Sequence, residues 1–355
     1  MKILRLVTIN IIIFLILTEL ILRIFWNSPY LPYFKDAYFH APNLNLKFKN
    51  IDNLYDYNKT ILFRTSELGN IIGNDNILEK SSIYALAVGG STTESALVPE
   101  GMRWPDLLSI PTYNFGKSRL NSSHTVANLK FIFENYNLEP KAVFVMDNVN
   151  NLSNYLKWGK DGLSSPEFIK NKDLYKFILT NYYTAAFIFI NIKKSDYFLF
   201  YKLDVDRRKK IEEINSKELD NYLRLNRNKM FNSIKIKFNE MKDISIKNNF
   251  DLFILTQPNS YNNNFKIHNY DIRITPIINK KILSIENAKK ISDFYNDLTI
   301  EVAKSIGINF IDINKCFQKS EIEDLLYDSF HLTINGSKYF AKCINYKISD
   351  YLLNF

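Results

Sequence analysis

The chain has 355 residues, 46% of them hydrophobic and 15% aromatic, with a net charge of +9. That content excludes a disordered chain and suits one large domain or two modest ones. The charge does not indicate a nucleic-acid partner: the lysines are scattered, no zinc-finger, RRM or helix-turn-helix signature accompanies them, and "DRRKKIEE" (Asp206–Glu213) mixes both signs like a solvated helix face.

At the N-terminus, Lys2 and Arg5 lead into an apolar run from Leu6 to Leu22, followed by Arg23 and Trp26. As a helix the run spans ~26 Å, the short end for a bilayer. Asn10 and Glu19 weaken it, but no polar stripe divides it, which argues against a buried soluble helix. The basic flank predicts that end inside and the bulk of the chain outside the cytoplasm, at a periplasmic or extracellular face. "LILRIFWNSPY" offers no small-x-small cleavage site, so residues 1–26 read as an uncleaved signal anchor rather than a cleaved signal peptide. Residues 27–80 are polar and aromatic with few clear periods and read as a stalk and small structured lead-in.

A repeating pattern then fills residues 81–355. Strands are expected at Tyr84–Gly90, Thr112–Phe115, Lys141–Met146, Phe250–Pro258 and Asn309–Ile313, with helices at 125–138, 217–248, 285–306 and 333–353. Strands alternating with helices, and apolar enough to be covered on both faces, predict an α/β fold around a parallel sheet. The Tyr- and Phe-rich region 151–216 breaks the alternation. It reads as a helical cap or an interfacial patch, because Thr180, Asn181, Thr184 and Asn191 interrupt any second membrane span. Cys316 and Cys343 have no CxxC spacing and no neighbouring His. They read as two small buried hydrophobes, with a disulfide open to them in an oxidising compartment.

In a parallel sheet, function collects at the carboxyl ends of the strands. "YALAVGGSTTE" places Ser91 there, after Gly89 and Gly90, with Thr92, Thr93 and Glu94 suited to a helix start. A helix cap explains the stretch as well as a nucleophile does. No G-x-x-x-x-G-K-[ST] or G-x-G-x-x-G is present, so no cofactor is expected, and Thr93 breaks the G-x-S-x-G elbow. A nucleophilic serine needs a base and an orienter. Of the four histidines, His331 follows the last expected strand, in "LLYDSFHLTINGSKYF". Asp328 precedes it by three residues, side by side on one helical turn. His40, His124 and His268 have no such setting. For an oxyanion hole, Gly116 in "NFGKS" offers a backbone N–H and "VMDNVNNL" offers amide side chains. A solvated loop, a turn glycine and loop asparagines would explain each piece taken alone.

The ordered set resembles the SGNH (GDSL-like) hydrolase family: "GGSTTE" is similar to its serine block, "NFG" to its glycine block, "NVNN" to its asparagine block and "DSFH" to its Asp-x-x-His block. The resemblance covers residues 82–353, and "RWPDLL" (Arg103–Leu108) is similar to a Trp-Pro helix start in this branch. It implies a flavodoxin-like three-layer sandwich, with Ser91 as nucleophile, His331 as general base and Asp328 as its orienter. It also implies an oxyanion hole from Ser91, Gly116 and Asn150. The third block departs from the family's Gly-x-Asn-Asp, reading Asn148-Val149-Asn150-Asn151; Asn150 is aligned by its place before Leu152, with Asn148 as the fallback. The activity implied is a membrane-anchored serine esterase that removes or transfers an acyl group, most simply acetyl, on an envelope saccharide. The alternative is a non-catalytic envelope protein that uses the fold to bind polysaccharide or a partner.

Overall fold

The computed structural model describes residues 2–25, 38–40, 42–48, 61–73, 83–158, 184, 211–261, 276–320, 322 and 324–352. Trp26, His268 and most of the 151–216 region lie outside the described residues. Two compact units divide the chain: Met1–Lys35 with Pro166–Ile211, and Asp36–Ser165 with Glu212–Phe355.

The described part of the first unit is chiefly helix α1 (Lys2–Phe25). Its stretch Val7–Phe25 has a mean hydropathy of 2.3 and is long and apolar enough to cross a membrane. Apolar side chains such as Ile12, Phe14, Ile16 and Leu17 are all exposed, so the helix is hydrophobic all round. Glu19, polar within the run, does not stand alone. It pairs with Arg23 one turn later at 3.0 Å and accepts from Thr184 N at 2.8 Å.

The second unit opens with a hairpin, β1 (Asn45–Phe48) and β2 (Ile61–Arg64), antiparallel with Leu46 opposite Phe63. There follow β3 (Ala85–Gly89), a one-turn helix α2 (Ser91–Glu94), a 3-10 turn at Trp104–Leu107, β4 (Thr112–Asn114), α3 (Ser122–Asn135), β5 (Ala142–Met146) and α4 (Asn148–Trp158). Beyond residue 210 come α5 (Ser216–Asn248), β6 (Asp251–Leu255), a small antiparallel pair β7 (Ile277–Ile278) and β8 (Lys281–Ile282), α6 (Ile285–Ile306), β9 (Asn309–Ile311), α7 (Ile313–Gln318) and α8 (Ile334–Leu352). The central sheet is parallel, in the order β4-β3-β5-β6-β9. Taking its strands in chain order, this is the flavodoxin-like order 2-1-3-4-5.

The expected α/β sandwich is therefore the observed one. β3 and β5 are buried along their whole lengths, as strands covered on both faces must be. On one face Trp104 lies against Phe340 of α8, with ring centroids 4.8 Å apart, in a core with Phe144, Leu255 and Ile344. On the other, α3, α5 and α6 bury Leu129, Met230, Phe238, Ile291 and Val302. Caps fix the helix ends: Ser284 accepts from Asn287 N, and Gly307 closes α6 at φ +67°.

The lead-in hairpin packs within this same unit. Arg103 is fully buried. Its guanidinium donates to Leu62 O at 3.1 Å and Ile72 O at 3.0 Å and lies over the Phe63 ring. The Trp-Pro segment is a 3-10 turn rather than the start of an α-helix, closed by Asp106 accepting from Arg103 N. Cys316 on α7 and Cys343 on α8 are joined as a disulfide, so the reading as two free hydrophobes is replaced by a cross-link.

Candidate active site

Ser91 opens the one-turn helix at the carboxyl end of β3. The N-cap is Gly90, with no side-chain cap, so Thr92 and Thr93 do not cap the turn as the sequence suggested. Thr92 is buried and accepts from Gln257 Nε2 at 3.2 Å, while its carbonyl takes the Trp104 indole N–H at 3.1 Å. Gly90 has an ordinary φ of −81°. What excludes a side chain there is space, since a Cβ would collide with Asn150 Nδ2.

His331 Nε2 lies 2.7 Å from Ser91 Oγ, and its Nδ1 lies 2.6 Å from Asp328 Oδ2. The three side chains named from the sequence are thus brought into one hydrogen-bonded line. The local geometry differs from the expectation: Asp328–His331 is an irregular bend, not a helical turn. Asp328 Oδ1 accepts from the N–H groups of Phe330 at 2.9 Å and His331 at 2.8 Å, which swings the carboxylate under the imidazole. A bridge between Leu326 and Leu332 closes the loop, and Tyr327 stacks on the His331 ring, 5.5 Å between centroids.

Burial pushes the Asp328 carboxyl up, but the His331 charge and the hydrogen bonds it accepts outweigh that, and its pKa lies below the ordinary value. Burial pulls His331 down, but Asp328 outweighs it, with a smaller contribution from Glu94, and the imidazole pKa lies above 6.5.

The three asparagines of "NVNN" have different surroundings. Asn148 is 4% exposed and donates to Asn296 Oδ1 at 2.8 Å. Asn151 is also buried and pairs reciprocally with Ser122, through its N–H and its Oγ. Asn150 is half-buried, lies beside Gly90 and donates to Leu120 O at 2.7 Å. Gly116 packs against the backbone of Thr93 and Glu94, where a Cβ would collide with Glu94 N. Its N–H donates to Asn114 Oδ1 at 2.9 Å and so is already committed.

Two groups near the serine were not singled out in the sequence. Gln257, just after β6, donates to Thr92 Oγ1 and at 3.4 Å to Phe330 O, tying the serine turn to the histidine loop. His40, from the lead-in, lies 2.8 Å from Glu94 Oε1, and Glu94 Oε2 accepts from Ser118 N at 3.1 Å and from the Ser118 hydroxyl. The glutamate was legible as a helix-start acid, but its partners come from elements 54 and 24 residues away.

No protein-family model matches the sequence, and no curated protein matches it. Solved structures similar to the chain include a member of the lipolytic G-D-S-L family from Veillonella parvula, 9% identical, covering 74% of this chain and 96% of that one, with a TM-score of 0.40. A GDSL-like lipase from Bacteroides thetaiotaomicron is 12% identical, with coverages of 76% and 88% and a TM-score of 0.39. An acetyl xylan esterase from Geobacillus stearothermophilus is 13% identical, with coverages of 78% and 96% and a TM-score of 0.37.

Proposed function

We propose that the chain is an SGNH-type serine esterase that cleaves acyl esters through Ser91, His331 and Asp328. One observation carries the reading: the line from Asp328 Oδ2 to His331 Nδ1 at 2.6 Å and from Nε2 to Ser91 Oγ at 2.7 Å. Neutral His331 takes the Ser91 proton as Oγ attacks the ester carbonyl. Asp328 holds the Nδ1–H tautomer and stabilises the imidazolium that forms. The oxyanion is met by the Ser91 N–H, which has no intrahelical acceptor, and by the second N–H of the Asn150 amide. Gly116 would join only if its bond to Asn114 opened. The imidazolium then protonates the leaving alkoxide, an alcohol departs, and an acyl-serine remains. Water, activated by His331, releases the acid and restores the serine; an acceptor hydroxyl in place of water would make the same site a transferase.

The proposed substrate is an O-acyl group, most simply acetyl, on an envelope saccharide. The apolar α1 and its basic flank support membrane anchoring with the catalytic unit outside the cytoplasm. The Cys316–Cys343 disulfide supports an oxidising compartment. The test is a fluorophosphonate probe on the full chain. The reading expects labelling of the wild type and none of Ser91→Ala, with release of acetate from an acetylated saccharide. A folded wild-type protein that stays unlabelled and turns over no ester would leave the binding-protein alternative.

A further inference from the structure

Glu94, three residues after Ser91, is an enclosed carboxylate: its side chain is 7% exposed and that of its partner His40 is 14% exposed. A carboxylate so buried persists only where its oxygens are met by donors. Here Oε1 is met by His40 Nε2, and Oε2 by the N–H and hydroxyl of Ser118. Burial pulls the His40 pKa below 6.5, although the hydrogen bond and charge of Glu94 act the other way.

The parts joined by this carboxylate belong to three segments. Glu94 ends the one-turn helix that Ser91 begins. Such a short helix has little strength of its own and is placed by the bonds made to it. Ser118 lies in the turn after β4, where Arg119 takes φ +71° and Leu120 O accepts the Asn150 amide at 2.7 Å. His40 comes from the lead-in and is itself tightly held. Its carbonyl presses on Gly69, where φ is +81° and a Cβ would collide with that oxygen, and its ring meets Phe63 edge-on at 5.0 Å. Next to it Phe39 packs on Phe115 and Phe131, and its carbonyl accepts from Lys117 Nζ at 3.1 Å.

We propose that His40 is a positioning residue for the ester cleavage, holding Glu94 and, through Ser118, the turn that seats the Asn150 amide. The lead-in segment thereby belongs to the catalytic apparatus without touching the substrate. This rests on the esterase reading above. Oxyanion donors act only when accurately placed, and a displacement of about 1 Å costs on the order of 100-fold.

The test uses the full chain and a small ester, with kcat expressed per fluorophosphonate-labelled serine at end point. His40→Leu removes the donor and is expected to lower kcat per labelled site about 10- to 100-fold while KM stays within about 2-fold. His40→Gln places an amide donor near the same carboxylate oxygen and is expected to recover most of the loss. Ser118→Ala, at an exposed residue, removes one donor with little risk to folding and is expected to lower kcat severalfold with an unchanged melting temperature. A purely structural role would lower the labelled fraction and leave kcat per labelled site unchanged, which overturns the proposal. Wild-type kcat in Ser118→Ala overturns it even if His40→Leu does not fold. An unlabelled, inactive wild type would instead overturn the esterase reading.

Discussion

Replacing Asn150 and Asn148 by alanine, separately, separates catalysis from stability within one short helix. Asn150 is half-buried and donates to Leu120 O at 2.7 Å. Losing that bond frees a carbonyl beside a half-buried side chain, a stability cost of about 0.5–1.5 kcal/mol. If the amide also meets the oxyanion, its loss raises the barrier by about 2.7–4 kcal/mol, a fall in kcat of roughly 10²–10³ with KM little changed. Asn148 is 4% exposed, and its Nδ2 gives one of the two bonds accepted by Asn296 Oδ1, the other coming from Gln257 N at 3.0 Å. Its removal is expected to cost about 1–3 kcal/mol of stability and to leave kcat near wild type. Asn151→Ala should behave like Asn148→Ala, since both of its bonds go to Ser122. The assay is steady-state kinetics on a small ester, normalised by serine labelling, beside thermal melts. A large kcat loss in Asn148→Ala with a near-wild-type Asn150→Ala would refute the assignment and move the oxyanion amide to Asn148, two residues earlier.

Three further outcomes are expected. Because His331 must be neutral to act and its pKa is raised by Asp328 and, less strongly, by Glu94, kcat/KM should fall as pH drops through a value above 6.5; Glu94→Gln should move that limb to lower pH, measured as a pH–rate profile, while His124→Ala should leave it in place. Cys316→Ser should lower stability by about 2–4 kcal/mol in denaturant melts, since the cross-link closes a 27-residue separation, and a variant as stable as the oxidised wild type would contradict the pairing. Asp147 is buried, with its pKa raised from 3.8 to about 7 by desolvation. A raised carboxyl contributes stability that is full below its ordinary pKa and lost as pH rises through about 7, so Asp147→Asn, which keeps an acceptor for Thr125 Oγ1, should flatten the melting temperature between pH 5 and 9 relative to wild type.

The centre of the sheet was legible because β3 and β5 are covered on both faces and read as uninterrupted apolar runs. Errors fall at the ends, where polar bonds rather than hydrophobicity decide. The expected strand Phe250–Pro258 stops at Leu255 because Thr256 Oγ1 turns to Asp312 and Asn314, and Gln257 N turns to Asn296. The helix expected at 125–138 begins at Ser122 because Asn121 accepts from the N–H groups of Ser123 and His124. The lead-in gave few clear periods because its only described alternation is short: β2 buries Ile61 and Phe63 in turn, while Phe39, Leu44 and Ile71 are buried singly among the described residues. The helix Asn148–Trp158 was hidden for another reason, because its first turn carries three asparagines, poor helix formers whose side chains bond outward to Asn296, Leu120 and Ser122.

The same contrast runs through the site. The meeting of Ser91, Asp328 and His331 in one hydrogen-bonded line was legible because the residue types are chemically specific and their places follow from the strand ends. The Asp-x-x-His spacing was read as a helical turn, whereas a carboxylate accepting two backbone N–H groups produces the same proximity, so the spacing specifies the pair but not the backbone that carries it. The histidines left aside were judged by local sequence alone. That serves for His124, which caps its own helix by accepting from Asn121 N at 3.2 Å. It fails for His40, whose partner lies 54 residues away and whose place is set by a glycine, a phenylalanine and a carboxylate from separate elements. Ser91 and His331 also lie 240 residues apart, but each stands in a block of chemically specific residues at a strand end. His40 and Glu94 carry no such block, so their meeting means nothing until the fold closes the distance.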